Sequence, residues 1–163
     1  MPHIAKIVAA ALILCTGCAE SLLQASSTDK PRLYGLKKIA VKVSTDPDAD
    51  LDQRGLQTAI EAKLRSAGIK VDKGSRSHLT VVISVSLIRS AGGGNLGFAY
   101  SVHLSLIQQV YLAHNPQRLT EAATWQTMSL GTSAESELEG RCRRVIGREM
   151  DEFVAVYLSG TEK

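Results

Sequence analysis

Hydrophobic and polar positions along this chain alternate with two different periods, and the changes of period mark its elements. At residues 38–43, Lys-Ile-Ala-Val-Lys-Val, β-branched side chains alternate with lysines, the pattern of a half-buried strand. From Leu56 the apolar positions take helical spacing through Ala59, Ile60, Leu64 and Ala67. Asp50 or Asp52 supplies an N-cap and Gly68 a stop, which predicts a helix over residues 52–67. Ile69-Lys70-Val71 follows as a short second strand.

The clearest alternation comes next. Leu79, Val81, Ile83, Val85 and Leu87 share one face, with Thr80, Ser84 and Ser86 on the other. Phe98, Tyr100, Val102, Leu104 and Leu106 repeat the pattern against Ser101, His103 and Ser105. The two are joined by the glycine-rich residues 89–97, so they form an antiparallel hairpin with a mobile tip, and its second strand extends toward Leu112. After a turn at His114-Asn115-Pro116, residues 120–130 form a further strand of poorer alternation around the single tryptophan, Trp125. Thr132-Ser133-Ala134-Glu135 has capping-box form. It opens an apolar helical stripe of Leu138, Cys142, Val145, Ile146, Met150, Phe153, Val154, Tyr157 and Leu158, a helix of about 24 residues.

The order β-α-β-β-β-β-α buries best as an α+β fold, a mostly antiparallel four- to five-stranded sheet with both helices on one face. The other face, with Thr80, Ser84, Ser86, Ser101, His103 and Ser105, is then polar and free.

The first eighteen residues follow a different logic. Lys6, an apolar run from Ile7 to Leu14 and then small residues make a secretory signal, too short to span a bilayer, which takes about 20 apolar residues. Leu14-Cys15-Thr16-Gly17-Cys18 resembles the lipobox of bacterial lipoproteins. The position three residues before the terminal cysteine, usually Leu, Val or Ile in that family, is here Cys15, apolar enough to fill the role. The resemblance implies cleavage before Cys18 and its acylation with fatty acids such as palmitate. Ala19 is not the aspartate that retains such proteins in the inner membrane, so the implied destination is the periplasmic side of the outer membrane. One acyl chain holds a protein only marginally, whereas two or more anchor it stably.

This divides the chain into a signal peptide at residues 1–17, a lipidated cysteine and flexible tether at 18–35, and a periplasmic domain at 36–163. Removing the signal leaves 163 − 17 = 146 residues, the size of one ordinary domain. A 13-residue link over residues 19–31 reaches about 20 Å on average, which keeps the domain near its membrane. Loss of Lys6 lowers the formal charge from +3 to +2, with acids and bases interspersed, and gives no electrostatic footprint for nucleic acid. Only Cys142 remains beyond Cys18, so the mature chain has no partner cysteine for an internal disulfide.

Candidate chemistry is sparse. Gly92-Gly93-Gly94-Asn95-Leu96-Gly97 matches G-x-G-x-x-G, but a dinucleotide site needs a strand leading into a helix, and this run joins two strands. A hairpin tip offering Gly92, Gly93, Gly94 and Asn95 to a partner fits better, with Trp125 as a further contact residue or else a core residue. His78, His103 and His114 lack metal-ligand spacing, Cys142 sits on the apolar stripe, and Arg141, Arg143, Arg144 and Arg148 are answered by nearby glutamates. No cofactor or metal is implied.

The leader, the IAVKV strand, the helix-to-strand passage LRSAGIKV, the glycine-rich hairpin, the tryptophan strand and the terminal DEFVAVYL helix together resemble small envelope lipoproteins. Named groups of that type are the auxiliary lipoproteins of ABC-type transport systems, the LPS-assembly lipoprotein and the ring-forming lipoprotein of exopolysaccharide export. The resemblance implies a non-enzymatic accessory subunit of an envelope machine, bound to the membrane through Cys18 and to a protein partner or to copies of itself. The competing expectation is a periplasmic module that binds a lipid or polysaccharide between helices and sheet, in a pocket lined by Leu56, Ile60, Val145 and Phe153.

Overall fold

The computed structural model describes residues 33, 36–47 and 49–161, all within the unit Pro31–Lys163; the signal, Cys18 and most of the tether lie outside the described residues. Leu33 and Leu36 are already part of the core, so the folded unit is entered before residue 36.

Strand β1 (Lys38–Thr45) buries Ile39, Val41 and Val43 while Lys38 and Lys42 stay in water, as the alternation requires. Helix α1 (Gln53–Ser66) begins where the Asp52 carboxylate accepts the Gly55 amide at 2.9 Å. It ends in a Schellman turn: Ile69 N–H bonds the Leu64 carbonyl and Gly68 N–H that of Arg65, both at 3.0 Å. Gly68 has φ +81°, a conformation that penalises any Cβ, which is why glycine stops the helix here. Leu64 and Ile69, brought together by that turn, are both fully buried.

Strand β2 (Lys70–Val71) lies parallel to β1, and β3 (His78–Arg89) is parallel to β1 on its other side. Long antiparallel ladders then join β3 to β4 (Asn95–Leu112) and β4 to β5 (Asn115–Ser133), giving the order β2-β1-β3-β4-β5. The sheet is mostly antiparallel, and α1 and α2 (Leu138–Thr161) share one core with it: α1 packs over β1 and β2, α2 over β4 and β5. The expected fold class and element order are therefore observed.

Four local expectations are corrected. Strand β5 is longer at both ends than residues 120–130, and the turn before it is Ala113-His114, with Asn115 and Pro116 opening the strand. Proline is tolerated there because β5 is an edge strand. The poor alternation of β5 comes from a bulge: Leu106 faces Trp125 but Ile107 faces Ala123, so Thr124 is extra and the phase of the side chains flips. Finally, the capping box is not formed. Thr132 is a strand residue paired with Ala99, Ser133 donates to the Ala134 carbonyl, and α2 is entered through a 3-10 turn at Glu135–Glu137. Leu158, expected on the buried stripe, is 45% exposed.

The core face of β4 and β5 has one place where size is critical. Gly131 lies opposite Tyr100, and a Cβ on it would meet the phenol ring at 2.6 Å. Gly131→Ala is expected to cost about 2 kcal/mol through overpacking, seen as a lowered denaturation midpoint. Gly147→Ala, on α2 where a new Cβ meets nothing within 4 Å, is expected to stabilise by about 0.5–1 kcal/mol in the same assay.

Candidate functional site

The helices cover one face of the sheet and leave the other to solvent. Register determines what that second face presents. Across β1, β3, β4 and β5 one row reads Ser44, Val82, His103, Met128, and the adjacent row on β3, β4 and β5 reads Ser84, Ser101, Leu130. Beyond the bulge the β4 and β5 ribbon continues on the same face with Ile107 opposite Ala123 and Tyr111 opposite Leu119. Met128 is 62% exposed, Leu130 73%, Tyr111 68%, Leu119 43% and Val82 36%.

The expectation of a polar, free face is thus half met. Thr80, Ser84, Ser86, Ser101 and His103 stand where alternation put them, but Ser105 is buried and an apolar strip from β5 and the ribbon interrupts the polar field. Sequence reasoning missed Met128 and Leu130 because the flip at Thr124 obscured the phase of β5. The usable signal is that Trp125 and Leu130, five residues apart on one strand, must point to opposite faces.

Strand β5 also ends the sheet, so one side of its backbone pairs with no described strand. From residue 122 to 132 it carries neither charge nor proline, the usual means by which proteins blunt an edge.

The remaining candidates separate clearly. Gly92, Gly93, Gly94 and Asn95 are exposed at the tip of the β3–β4 hairpin, beside Leu96 at 68% exposure. The tip is closed by bonds of 2.8 Å from Ser90 N–H to the Gly94 carbonyl and 2.9 Å from Gly93 N–H to the Ser90 carbonyl. It leads into β4 and not into a helix, so the context of a dinucleotide loop is missing. Trp125, by contrast, is a core residue: its ring meets Phe153 edge to face at 5.0 Å, which removes it from the exposed contact surface. Trp125 shares the core face of β5 with Thr127 and Ser129 because they follow the bulge at odd positions.

Cys142 is fully buried on α2, and burial, helped by Glu139, pushes its thiol above the ordinary value, the reverse of an activated nucleophile. Of the helix arginines, Arg141 binds Glu137 at 2.9 Å and Arg143 binds Glu139 at 2.6 Å, as one turn of helix allows. Arg148 joins a buried cluster that no sequence pattern announced. The Glu149 carboxylate, on a residue only 4% exposed, accepts from Thr127 and Ser129 at 2.7 Å each and from Arg148 at 2.7 Å. Burial by itself would raise this carboxyl; the bonds from Arg148, Thr127 and Ser129 and the Arg148 charge outweigh it and hold the group below its ordinary range. The cluster ties α2 to the edge strand.

Among the described residues no group of three or more His, Cys, Asp or Glu is placed to hold a metal ion, and no helix is long and apolar enough to cross a membrane. Between α1 and α2 runs a groove of about 240 Å³ lined by Leu56, Ala59, Ile60, Ile146, Gly147 and Met150. Its rim cations are engaged, Lys63 with the Gly147 carbonyl and Asp151, Arg143 with Glu139.

No family model matches this chain, and no curated protein does. Solved structures resemble it at low identity. A single-site variant of the PelC dodecamer from Paraburkholderia phytofirmans shares 15% identity over 70% of this chain and 84% of its own, with a TM-score of 0.44. Rare lipoprotein B from Shewanella oneidensis is 11% identical over 71% and 91% of the two chains, with a TM-score of 0.36. A minor lipoprotein from Acinetobacter baumannii is 13% identical over 74% and 89%, with a TM-score of 0.34.

Proposed function

We propose that this chain is a non-enzymatic, lipid-anchored accessory subunit of a cell-envelope transport or export assembly, tethered to the outer membrane by acylated Cys18 and docked on a protein partner through its open sheet face. The observation that carries this reading is the exposure of Val82, Tyr111, Leu119, Met128 and Leu130 on the face turned away from the helices. Isolated apolar side chains on a surface are ordinary; a set of them on one side of one sheet supports a contact. The leader ending in Leu14-Cys15-Thr16-Gly17-Cys18 supports the compartment and the anchor.

Filling of the core favours this over the ligand-binding alternative. Leu56, Ile60 and Phe153, which would have lined a pocket between helices and sheet, are each at most 2% exposed within one packed cluster. The groove between the helices, at about 240 Å³, is smaller than the roughly 300–1,000 Å³ usual for small-molecule sites.

A photoreactive residue at position 130 in the acylated chain, irradiated in native membranes, is expected to give discrete adducts, and one at position 144 on α2 none. In the chain carrying the probe at position 130, Leu119→Glu with Met128→Glu should abolish the adducts while leaving the unfolding midpoint almost unchanged, since exposed substitutions usually shift stability by within about 0.5 kcal/mol. Bare monomer from position 130 would overturn the docking reading and favour the binding module. A homo-oligomeric ring is the second reading, favoured by the uncharged free edge of β5. It predicts adducts at integral multiples of the subunit mass.

A further inference from the structure

Five cations collect where the chain enters the sheet. Loop residues 72–77 wrap around the start of β1: Asp72 N–H bonds the Ile39 carbonyl, the Ser75 hydroxyl the Lys38 carbonyl, and Ala40 N–H the Ser77 carbonyl. This arrangement is forced by topology, because β2 and β3 both run parallel to β1 on opposite sides and the loop between them must cross under its first residues. The crossing brings Lys37 and Lys38 of one segment beside Arg76 of the other, around a cleft of about 340 Å³ with Ser75 and Ser77. Lys70 stands opposite Lys38 in the ladder, and Lys73 lies in the loop itself. All five side chains are exposed.

Carboxylates only partly answer them. Asp72 binds Lys38 at 3.0 Å, its second oxygen taken by the Gly74 amide at 2.9 Å. Glu61, within electrostatic reach of Lys73, is bonded by Gln57 and Arg65. On α2, by contrast, Arg141 and Arg143 are each matched by a glutamate one turn away.

This end of the domain is also the end nearest the anchor along the chain, since Lys38 follows Cys18 by 38 − 18 = 20 residues. We propose that it is a second, electrostatic contact with the membrane, in which Lys37, Lys38, Lys70, Lys73 and Arg76 lie on the phosphates of anionic phospholipids. The inference rests on the lipid-anchored reading of Cys18. Exposed basic side chains next to an anchor each gain from an anionic surface within a Debye length, and their spread over a strand start, a loop and a neighbouring strand suits a plane of headgroups. The contact orients the domain: β1 points away from the bilayer, and the open sheet face stands upright for its partner.

The test places the acylated full chain in vesicles of phosphatidylcholine alone or with phosphatidylglycerol, and maps lysine acetylation by mass spectrometry. Labelling of Lys37, Lys38, Lys70 and Lys73 is expected to slow roughly fivefold or more with phosphatidylglycerol, and to recover in molar salt. Lys42, four residues further along β1, should not change. Lys73→Gln with Arg76→Gln should weaken protection of the remaining lysines. Equal labelling in both vesicles would overturn the proposal, and protection by inorganic phosphate with neutral vesicles would replace it with a small-anion site. The intact mass separates the two inferences. Absence of acyl chains overturns the anchor, and the footprint is then read on the unacylated chain mixed with the same vesicles, where anionic protection upholds the contact and its absence overturns it.

Discussion

Phe153→Ala is expected to destabilise the domain by about 3–5 kcal/mol, enough to leave a small protein of ordinary stability largely unfolded on mild heating. Phe153 has no exposed surface and stands on α2 directly over the sheet, so truncation opens a cavity that neighbouring strands cannot close. Its edge-to-face contact with Trp125 at 5.0 Å and an interplanar angle of 69° adds a specific term, about 0.5–1.5 kcal/mol, beyond lost area. A double-mutant cycle with Trp125→Leu, read by urea denaturation with tryptophan-independent circular dichroism, should return a coupling of that size. Strictly additive single effects would show that the rings share a core without holding one another. A small change for Phe153→Ala alone would mean that α2 is not docked on β5 as described.

Where the chain was legible, one physical rule acted alone. The Leu79 and Phe98 strands declare themselves because both faces are long and uninterrupted, and α1 because Asp52 and Gly68 bracket a single stripe. The illegible parts are those where two rules meet. Thr132 looks like a helix cap only while the length of β5 is unknown; once Ala99 holds it in a ladder, its backbone is committed. The bulge at Thr124 conceals that Trp125 points inward and Leu130 outward, which is the fact on which the docking face depends. Glu149 is the opposite case: a glutamate on a helix of many charges is unremarkable until the fold brings Thr127 and Ser129 to it. The basic cluster is illegible for a third reason. Lys37 and Arg76 are far apart in sequence, and only the crossing of residues 72–77 under β1 joins them.

Glu149→Ala is expected to cost about 3 kcal/mol at neutral pH. The loss is more than one ion pair. Removal of the carboxylate leaves the Thr127 and Ser129 hydroxyls without the acceptor they share, under a helix that covers them. Arg148 is exposed and can turn to water, which keeps the cost below that of breaking a fully buried pair. The same cluster gives the domain an acid sensitivity whose sign follows from linkage. Because the folded carboxyl is held below its unfolded value near 4.5, the unfolded chain binds a proton first as pH falls. Stability from Glu149 is therefore fully present above that value and is lost as pH drops through the folded one. Glu149→Gln isolates this contribution from those of Asp72 and Glu61, which are also held low. The gap in stability between the native chain and Glu149→Gln should be widest near neutrality and shrink steadily toward acid in denaturant titrations at successive pH values. A gap that stays constant would mean that shape, and not charge, is what Glu149 contributes to fastening α2 on the edge strand.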